Sequence, residues 1–223
     1  MSLPHHYIVR QPSVSPAAGE EPNHLLILLH GYGSNEEDLM GLASYLDPRF
    51  RIVSIRAPDA LDQGGYCWFP LGVGPEGLEI RFEDAEAARD QLSVTVTELQ
   101  STFATAGERT ILLGFSQGAA MALAVALFKP ELVGGVAFLS GRSMEEMIPT
   151  EAETLQALQG KQVLMTHGRF DPLIPIGQGR EAVELLQPLR LNLTHREYDM
   201  GHEINQACLT DVSAWLQGQL DRG

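Results

Sequence analysis

Ile111-Leu112-Leu113-Gly114-Phe115-Ser116-Gln117-Gly118-Ala119-Ala120-Met121-Ala122-Leu123 places three kinds of residue in an order that suits one local structure. A short apolar run comes first, then a serine with a glycine two places to either side, then small and strong helix formers. Strand, sharp turn, helix is the reading. A serine on such a turn has strained backbone angles, and side chains two residues away would collide there. Glycine at 114 and 118 removes those collisions and lets the helix start close to the strand. The turn lifts the hydroxyl clear of a sheet and sets it at a helix N-terminus, where partial positive charge favours a developing anion.

Working outward, the same rhythm of apolar strand, loop and amphipathic helix recurs. Residues 25–30 form a continuous apolar run ending in His30, as expected of a strand buried on both faces. Further strands are predicted over 50–56, 110–113, 133–140, 162–167 and 192–198. Helices are predicted over 36–46 with Ser34 or Asn35 as N-cap, 83–106 with Gly107 as the stop, 117–129, about 179–186, and 204–217. A Gly-rich stretch from Asp59 to about Leu78 reads as loop, and residues 6–9 as an antiparallel edge strand. Strands alternating with helices imply an α/β protein with one mostly parallel sheet. No linker, repeat or composition break divides residues 1–223, so a single domain is expected, with 1–23 as an N-terminal edge segment.

Bulk properties exclude several classes of partner. The 223 residues carry a formal charge of −14, which repels nucleic acid and anionic membrane surfaces. No apolar run reaches the roughly twenty residues that cross a bilayer, so no membrane insertion is expected. Cys67 and Cys208 have no companion at ligand spacing, so no metal or other cofactor is expected. Isolated thiols fit a reducing compartment. Met1 to Val9 lack the basic and apolar regions of a signal peptide, and the cytoplasm is the expected location.

A serine hydroxyl needs a base within hydrogen-bond reach. Of seven histidines, His5, His6 and His24 precede the first core strand and read as solvent or edge residues; His195 lies within a strand. His30 and His167 each end a strand before a glycine and could stand near the active edge. His202, in Met200-Gly201-His202-Glu203-Ile204, is preferred: it lies in a loop after the last strand, downstream of both nucleophile and acid. Where G-x-S-x-G sits on a strand-to-helix turn, the triad runs serine, acid, histidine. The acid is Asp171 in Gly168-Arg169-Phe170-Asp171-Pro172; the rival Asp199 would have to fold back within one tight turn. Asp171 would hold the Nδ1 proton and leave Nε2 facing Ser116. The Gln117 amide and the Tyr32 amide, between Gly31 and Gly33, would form the oxyanion hole. About twenty residues separate Ser140 from Gln162, too few for a cap domain, so the site should be open. Trp68, Phe69 and Leu71 are the candidate apolar wall for an acyl group, with a core anchor as the other reading of Trp68.

These residues resemble the phospholipase/carboxylesterase family of α/β-hydrolases, which includes acyl-protein thioesterases and small bacterial carboxylesterases. The marks are Leu29-His30-Gly31-Tyr32-Gly33, Arg56-Ala57-Pro58, Trp68-Phe69, Gly114-Phe115-Ser116-Gln117-Gly118, the loop from His167-Gly168 through Asp171 to Ile174-Pro175, and Gly201-His202-Glu203-Ile204. The resemblance implies the α/β-hydrolase fold and a metal-independent serine esterase, with Ser116, Asp171 and His202 as nucleophile, acid and base. Ala119 stands where the family usually shows a second glycine, and Pro70 where it commonly shows aspartate. The expected activity is carboxylic ester hydrolysis on a small-molecule ester. A thioesterase or lysophospholipase of longer acyl preference is the nearest alternative, and a non-catalytic binding protein of the same fold the alternative of another class. A homodimer is left open.

Overall fold

A computed structural model describes residues 5–14, 24–74, 77–143 and 145–221. Of the predicted edge segment, residues 1–4 and 15–23 lie outside the described residues. In chain order the elements are β1 (Tyr7–Arg10), β2 (Leu25–Leu29), α1 (Glu36–Met40), β3 (Arg51–Ile55), β4 (Asp59–Ala60), β5 (Tyr66–Cys67), β6 (Leu71–Gly74) and β7 (Gly77–Ile80). They continue with α2 (Phe82–Phe103), β8 (Thr110–Phe115), α3 (Gln117–Phe128), β9 (Gly135–Leu139), α4 (Ala152–Ala157), β10 (Gln162–Gly168), α5 (Ile176–Leu186), β11 (Asn192–Tyr198) and α6 (Gln206–Leu220).

Seven strands form one sheet in the order β1-β3-β2-β8-β9-β10-β11. Only β1 is antiparallel, pairing Tyr7 with Ile55 and Arg10 with Ile52 at one edge. Strand order reverses between β2 and β8, since the chain leaves β2 first for β3 on one side and later returns to β8 on the other. That switch point opens a crevice at the carboxyl ends of the strands, where α/β sheets bind ligands.

Burial on both faces explains the uninterrupted apolar runs. Leu25, Ile27 and Leu29 pack on one face with α2, α3 and α5, through Leu92, Val96, Leu123 and Leu186 among others. Leu26 and Leu28 pack on the other face with α1 and α6, through Leu39, Val212 and Leu216. Alternate residues therefore serve different layers, and both sets in β2 are apolar. No helix among the described residues is long and apolar enough to cross a membrane.

Several boundaries differ from the sequence expectation for identifiable reasons. The first helix stops at Met40 and gives way to a 3-10 turn over Ala43–Tyr45, so residues 36–46 are not one helix. Asn35 caps it as expected, its side chain accepting from the Glu37 amide at 2.8 Å. Helix α2 ends at Phe103 because Ala104 adopts a left-handed conformation (φ 50°), and Gly107 is not the stop. The Gly-rich stretch is two small hairpins, β4 with β5 and β6 with β7, rather than plain loop. Between β9 and β10 there is only a 3-10 turn and the short α4, with no cap among the described residues.

His5 departs most from expectation. It is buried, not an edge residue in solvent, with its Nδ1 2.6 Å from the Thr95 hydroxyl and its ring 5.8 Å from that of Trp68. Burial pushes the imidazole down to about 4. Because the unfolded histidine titrates near 6.5, the unfolded chain binds the extra proton between those values. Stability is therefore retained above about pH 6.5 and lost as pH falls towards 4, by about 2–3 kcal/mol at pH 4.5. Urea unfolding at pH 7 and 4.5 should show a smaller acid loss in His5→Gln than in the parent protein; equal losses would remove His5 as the cause.

Candidate active site

The turn carrying Ser116 is held by backbone contacts that leave no room for side chains on its flanking glycines. Ser116 has φ 55° and ψ −118°, a conformation that L-residues rarely adopt. Its amide donates to the Leu139 carbonyl at 2.9 Å, fastening the turn to the end of β9. A Cβ on Gly114 would come within 2.1 Å of the Gly118 carbonyl oxygen, and one on Gly118 within 2.0 Å of the Leu29 carbonyl oxygen. The two glycines flanking Ser116 therefore let α3 begin directly against β2. Ala119, where the related family shows glycine, is fully buried, and Gly141 makes space for it: a Cβ there would sit 2.7 Å from that of Ala119.

Three strand ends bring the predicted triad together. His202 Nε2 lies 2.9 Å from Ser116 Oγ, and His202 Nδ1 lies 2.7 Å from Asp171 Oδ2. Asp171 is buried, and its Oδ1 accepts from the amides of Leu173 (2.9 Å) and Ile174 (2.8 Å). Both its oxygens are thus engaged, which holds the carboxylate in one orientation. The loops carrying Asp171 and His202 extend the pairing of β10 with β11: Arg169 donates to the Tyr198 carbonyl, and Phe170 to that of Met200. Gly168 permits the approach, since a Cβ there would lie 2.3 Å from the Gly201 carbonyl oxygen. The rival Asp199 is exposed and pairs with Arg169 at 2.7 Å.

The loop after β2 faces the nucleophile. A Cβ on Gly31 would stand 3.3 Å from that of Ser116, so the loop and the serine are in contact. The Ser34 amide donates to the Gly31 carbonyl (3.2 Å) around Gly33 at φ 80°, the pattern of a type II turn. The Gly33 amide donates to the Tyr66 carbonyl and the Tyr66 amide to the Ser34 carbonyl, tying the loop to β5. Arg56 reinforces the tie, forming a two-pronged ion pair with buried Glu36 while its guanidinium lies 4.7 Å above the Tyr66 ring. The amides of Gly33 and Ser34 are consumed inside this scaffold. The Gln117 amide opens α3, where no intrahelical acceptor is available to it.

Of the other histidines weighed, His30 is locked in place. His30 is buried and receives the Ala57 amide on Nε2 (3.0 Å), so Nδ1 carries the proton and donates to the Gly31 carbonyl at 2.8 Å. Burial lowers its pKa, which keeps that neutral tautomer. His195 lies on β11, partly buried.

The expected apolar wall is largely internal. Trp68 is 1% exposed and Phe69 3%, both in the main core, and Leu71 is half-buried against it. Trp68 is thus a core anchor, its indole donating to the His30 carbonyl at 2.8 Å. Sequence reasoning missed the partner that fixes this segment: the Gln117 side chain accepts from the Trp68 amide (2.9 Å) and donates to the Phe69 carbonyl (2.8 Å). The buried polar residue following the serine was the available signal. Exposed apolar groups on the site loops are instead Tyr32, Phe170 and Leu173, at 44%, 70% and 69%. Three of the six large, exposed apolar side chains among the described residues thus lie on just two loops. Such clustering marks a contact surface more than scattered exposure does.

Gly118→Ala should lower stability by at least about 3 kcal/mol, the upper range for overpacking, because its new methyl meets backbone carbonyls that cannot swing aside. Gly218→Ala, in α6 with open space around it, should leave stability unchanged or raise it by up to about 1 kcal/mol. Thermal melts of the two variants beside the parent protein check both.

Residues 11–220 match the profile of the family described as phospholipase/carboxylesterase. A probable inactive carboxylesterase of Oryza sativa subsp. japonica is 26% identical over 222 residues, covering 94% of this chain and 90% of that protein. Acyl-protein thioesterase 1 of Gibberella zeae is 35% identical over 120 residues, 51% of this chain and 49% of that protein. Among solved structures, esterase PE8 superposes with a TM-score of 0.75 at 28% identity, covering 94% of this chain and 98% of the other.

Proposed function

The chain belongs to the phospholipase/carboxylesterase family, and on that premise we propose that it is a serine carboxylesterase working through an acyl-enzyme on Ser116. The observation that carries this reading is the pair of contacts made by one imidazole, 2.9 Å to Ser116 Oγ and 2.7 Å to Asp171 Oδ2. Asp171 accepts a hydrogen bond from Nδ1–H and so leaves the Nε2 lone pair directed at the hydroxyl. His202 accepts the Ser116 proton as Oγ attacks the ester carbonyl, and the carbonyl electron pair moves onto oxygen. That oxyanion is received by the Gln117 and Tyr32 amides, already fixed at a helix start and a braced turn. Collapse breaks the ester C–O bond, and the imidazolium proton leaves with the alcohol. Water, deprotonated by the same imidazole, then releases the carboxylic acid and regenerates Ser116.

Ser116→Ala should reduce hydrolysis of p-nitrophenyl butyrate by at least about 10³-fold with an unchanged circular dichroism spectrum. A fluorophosphonate should label the parent protein at Ser116. Full activity in the variant, or labelling confined to another residue, would refute the assignment.

The acyl group is proposed to meet Tyr32, Phe170 and Leu173 at the rim. Each methylene they cover is worth at most about 0.8 kcal/mol, or roughly fourfold in kcat/KM. A p-nitrophenyl ester series from acetate to octanoate should therefore rise with chain length, and Phe170→Ser with Leu173→Ser should flatten the rise. A parallel thioester series tests the second reading, thioester hydrolysis, which the likeness to an acyl-protein thioesterase favours. Thioesters outpacing oxyesters of equal length would select it.

A further inference from the structure

We propose that His167 is a positioning residue for the carboxylate of Asp171, clamping the turn that presents it to His202. The inference rests on the triad reading above. His167 is buried near the end of β10, four residues before Asp171, and its Nε2 lies 2.8 Å from the Ile174 carbonyl oxygen. A carbonyl only accepts, so Nε2 bears the proton and donates it across the whole turn. The amide of the same Ile174 donates to Asp171 Oδ1. Ile174 is therefore held through its carbonyl by His167 and holds Asp171 through its N–H. Rotation of the carboxylate away from His202 requires this relay to break.

Two further observations support a clamp over simple core filling. His167 Nε2 stands 3.7 Å from Asp171 Oδ2, too far for a hydrogen bond. It therefore leaves that oxygen to His202 at 2.7 Å while placing an N–H dipole beside the carboxyl group. On the opposite side, α5 packs flush against the ring. A Cβ on Gly179 would approach Nδ1 to 2.6 Å, so glycine at that helical position is what lets the imidazole occupy its seat. Ionisable groups nearby on β11 are His195 and Glu197; Glu197 pairs with His167 in strand register and is ion-paired to Arg180 of α5 and to Arg169.

The test uses three variants of the full chain: His167→Leu, which removes the donor; His167→Gln, which returns an N–H near the Nε2 position; and Gly179→Ala, which pushes the intact ring aside. Two readouts are taken, kcat and KM for p-nitrophenyl butyrate, and the far-downfield proton resonance of the His202–Asp171 bond, assigned by its loss in His202→Gln. Expected is a fall in kcat of about 10- to 100-fold in the leucine and alanine variants, as for other residues that orient a reactive ligand from behind. KM should stay within about twofold, the resonance should move upfield or broaden, and glutamine should recover most of both. An unmoved resonance with parent kcat in His167→Leu, or in Gly179→Ala should the leucine variant not fold, overturns the proposal. The resonance does not depend on turnover, so the two readings separate. An active Ser116→Ala with a shifting resonance sinks the esterase reading and leaves the clamp. An inactive Ser116→Ala with an unmoved resonance in His167→Leu does the reverse.

Discussion

Everything at the active edge depends on how closely α3 starts against β2. Gly118 sits where any side chain would strike the Leu29 and His30 carbonyls, and Gly114 where it would strike Gly118 itself. This contact sets the height of Ser116 above the sheet and forces its positive φ. It also places the loop after β2 beside the nucleophile, since Gly31 touches Ser116. The loop after β2 and Ser116 are thereby positioned by one packing contact between main chains. Such contacts barely deform, because interiors are packed to crystal-like density.

A second layer of polar bonds stiffens what that contact places. Trp68 connects the two halves: its indole binds the His30 carbonyl, while its amide is bound by the Gln117 side chain. A large apolar residue in the core is thus also a strut between the turn after β2 and the first residue of α3. Buried polar atoms in such a network must all find partners, or their desolvation outweighs the gain. Here the Gln117 amide group uses both its oxygen and its nitrogen on backbone of the same segment. On the far side, Asp171 spends one oxygen on two amides of its own turn and the other on His202.

Sequence legibility follows from the same physics. Strands buried on two faces leave mainly apolar runs, so β2, β8 and β10 could be read almost to their ends. Ser116, Asp171 and His202 were readable as candidates because a parallel sheet puts every strand-end loop on one edge, and chain order then ranks the choices. What stayed hidden depends on contacts distant in sequence. His5 is buried only because Thr95 and Trp68, far along the chain, converge on it. Trp68 looked equally suited to wall or core until the partners of its indole and amide were visible. The capping of α2 by Ala104 rather than Gly107 is likewise invisible locally, since Gly107 is needed elsewhere, against the Glu131 carbonyl.

The site divides its work between main chain and side chains, and the division says what each can tolerate. Amides and carbonyls build the loop after β2, the turn at Ser116 and the seam between the Asp171 and His202 loops. Such groups are present whatever the side chains, so this framework can persist while most surrounding residues change. Only a few positions resist: glycines at the close approaches, and side chains that bridge distant segments, such as Gln117, Arg56 and Glu36. Framework alone does not make a hydrolase, because fold and activity are separable. In the proposed reaction the step from scaffold to catalyst falls on one short chain of contacts, from the Asp171 carboxylate through the His202 ring to the Ser116 hydroxyl. Those bonds have no backbone substitute, so whatever orients the carboxylate end of that chain bears on the hydroxyl at the other.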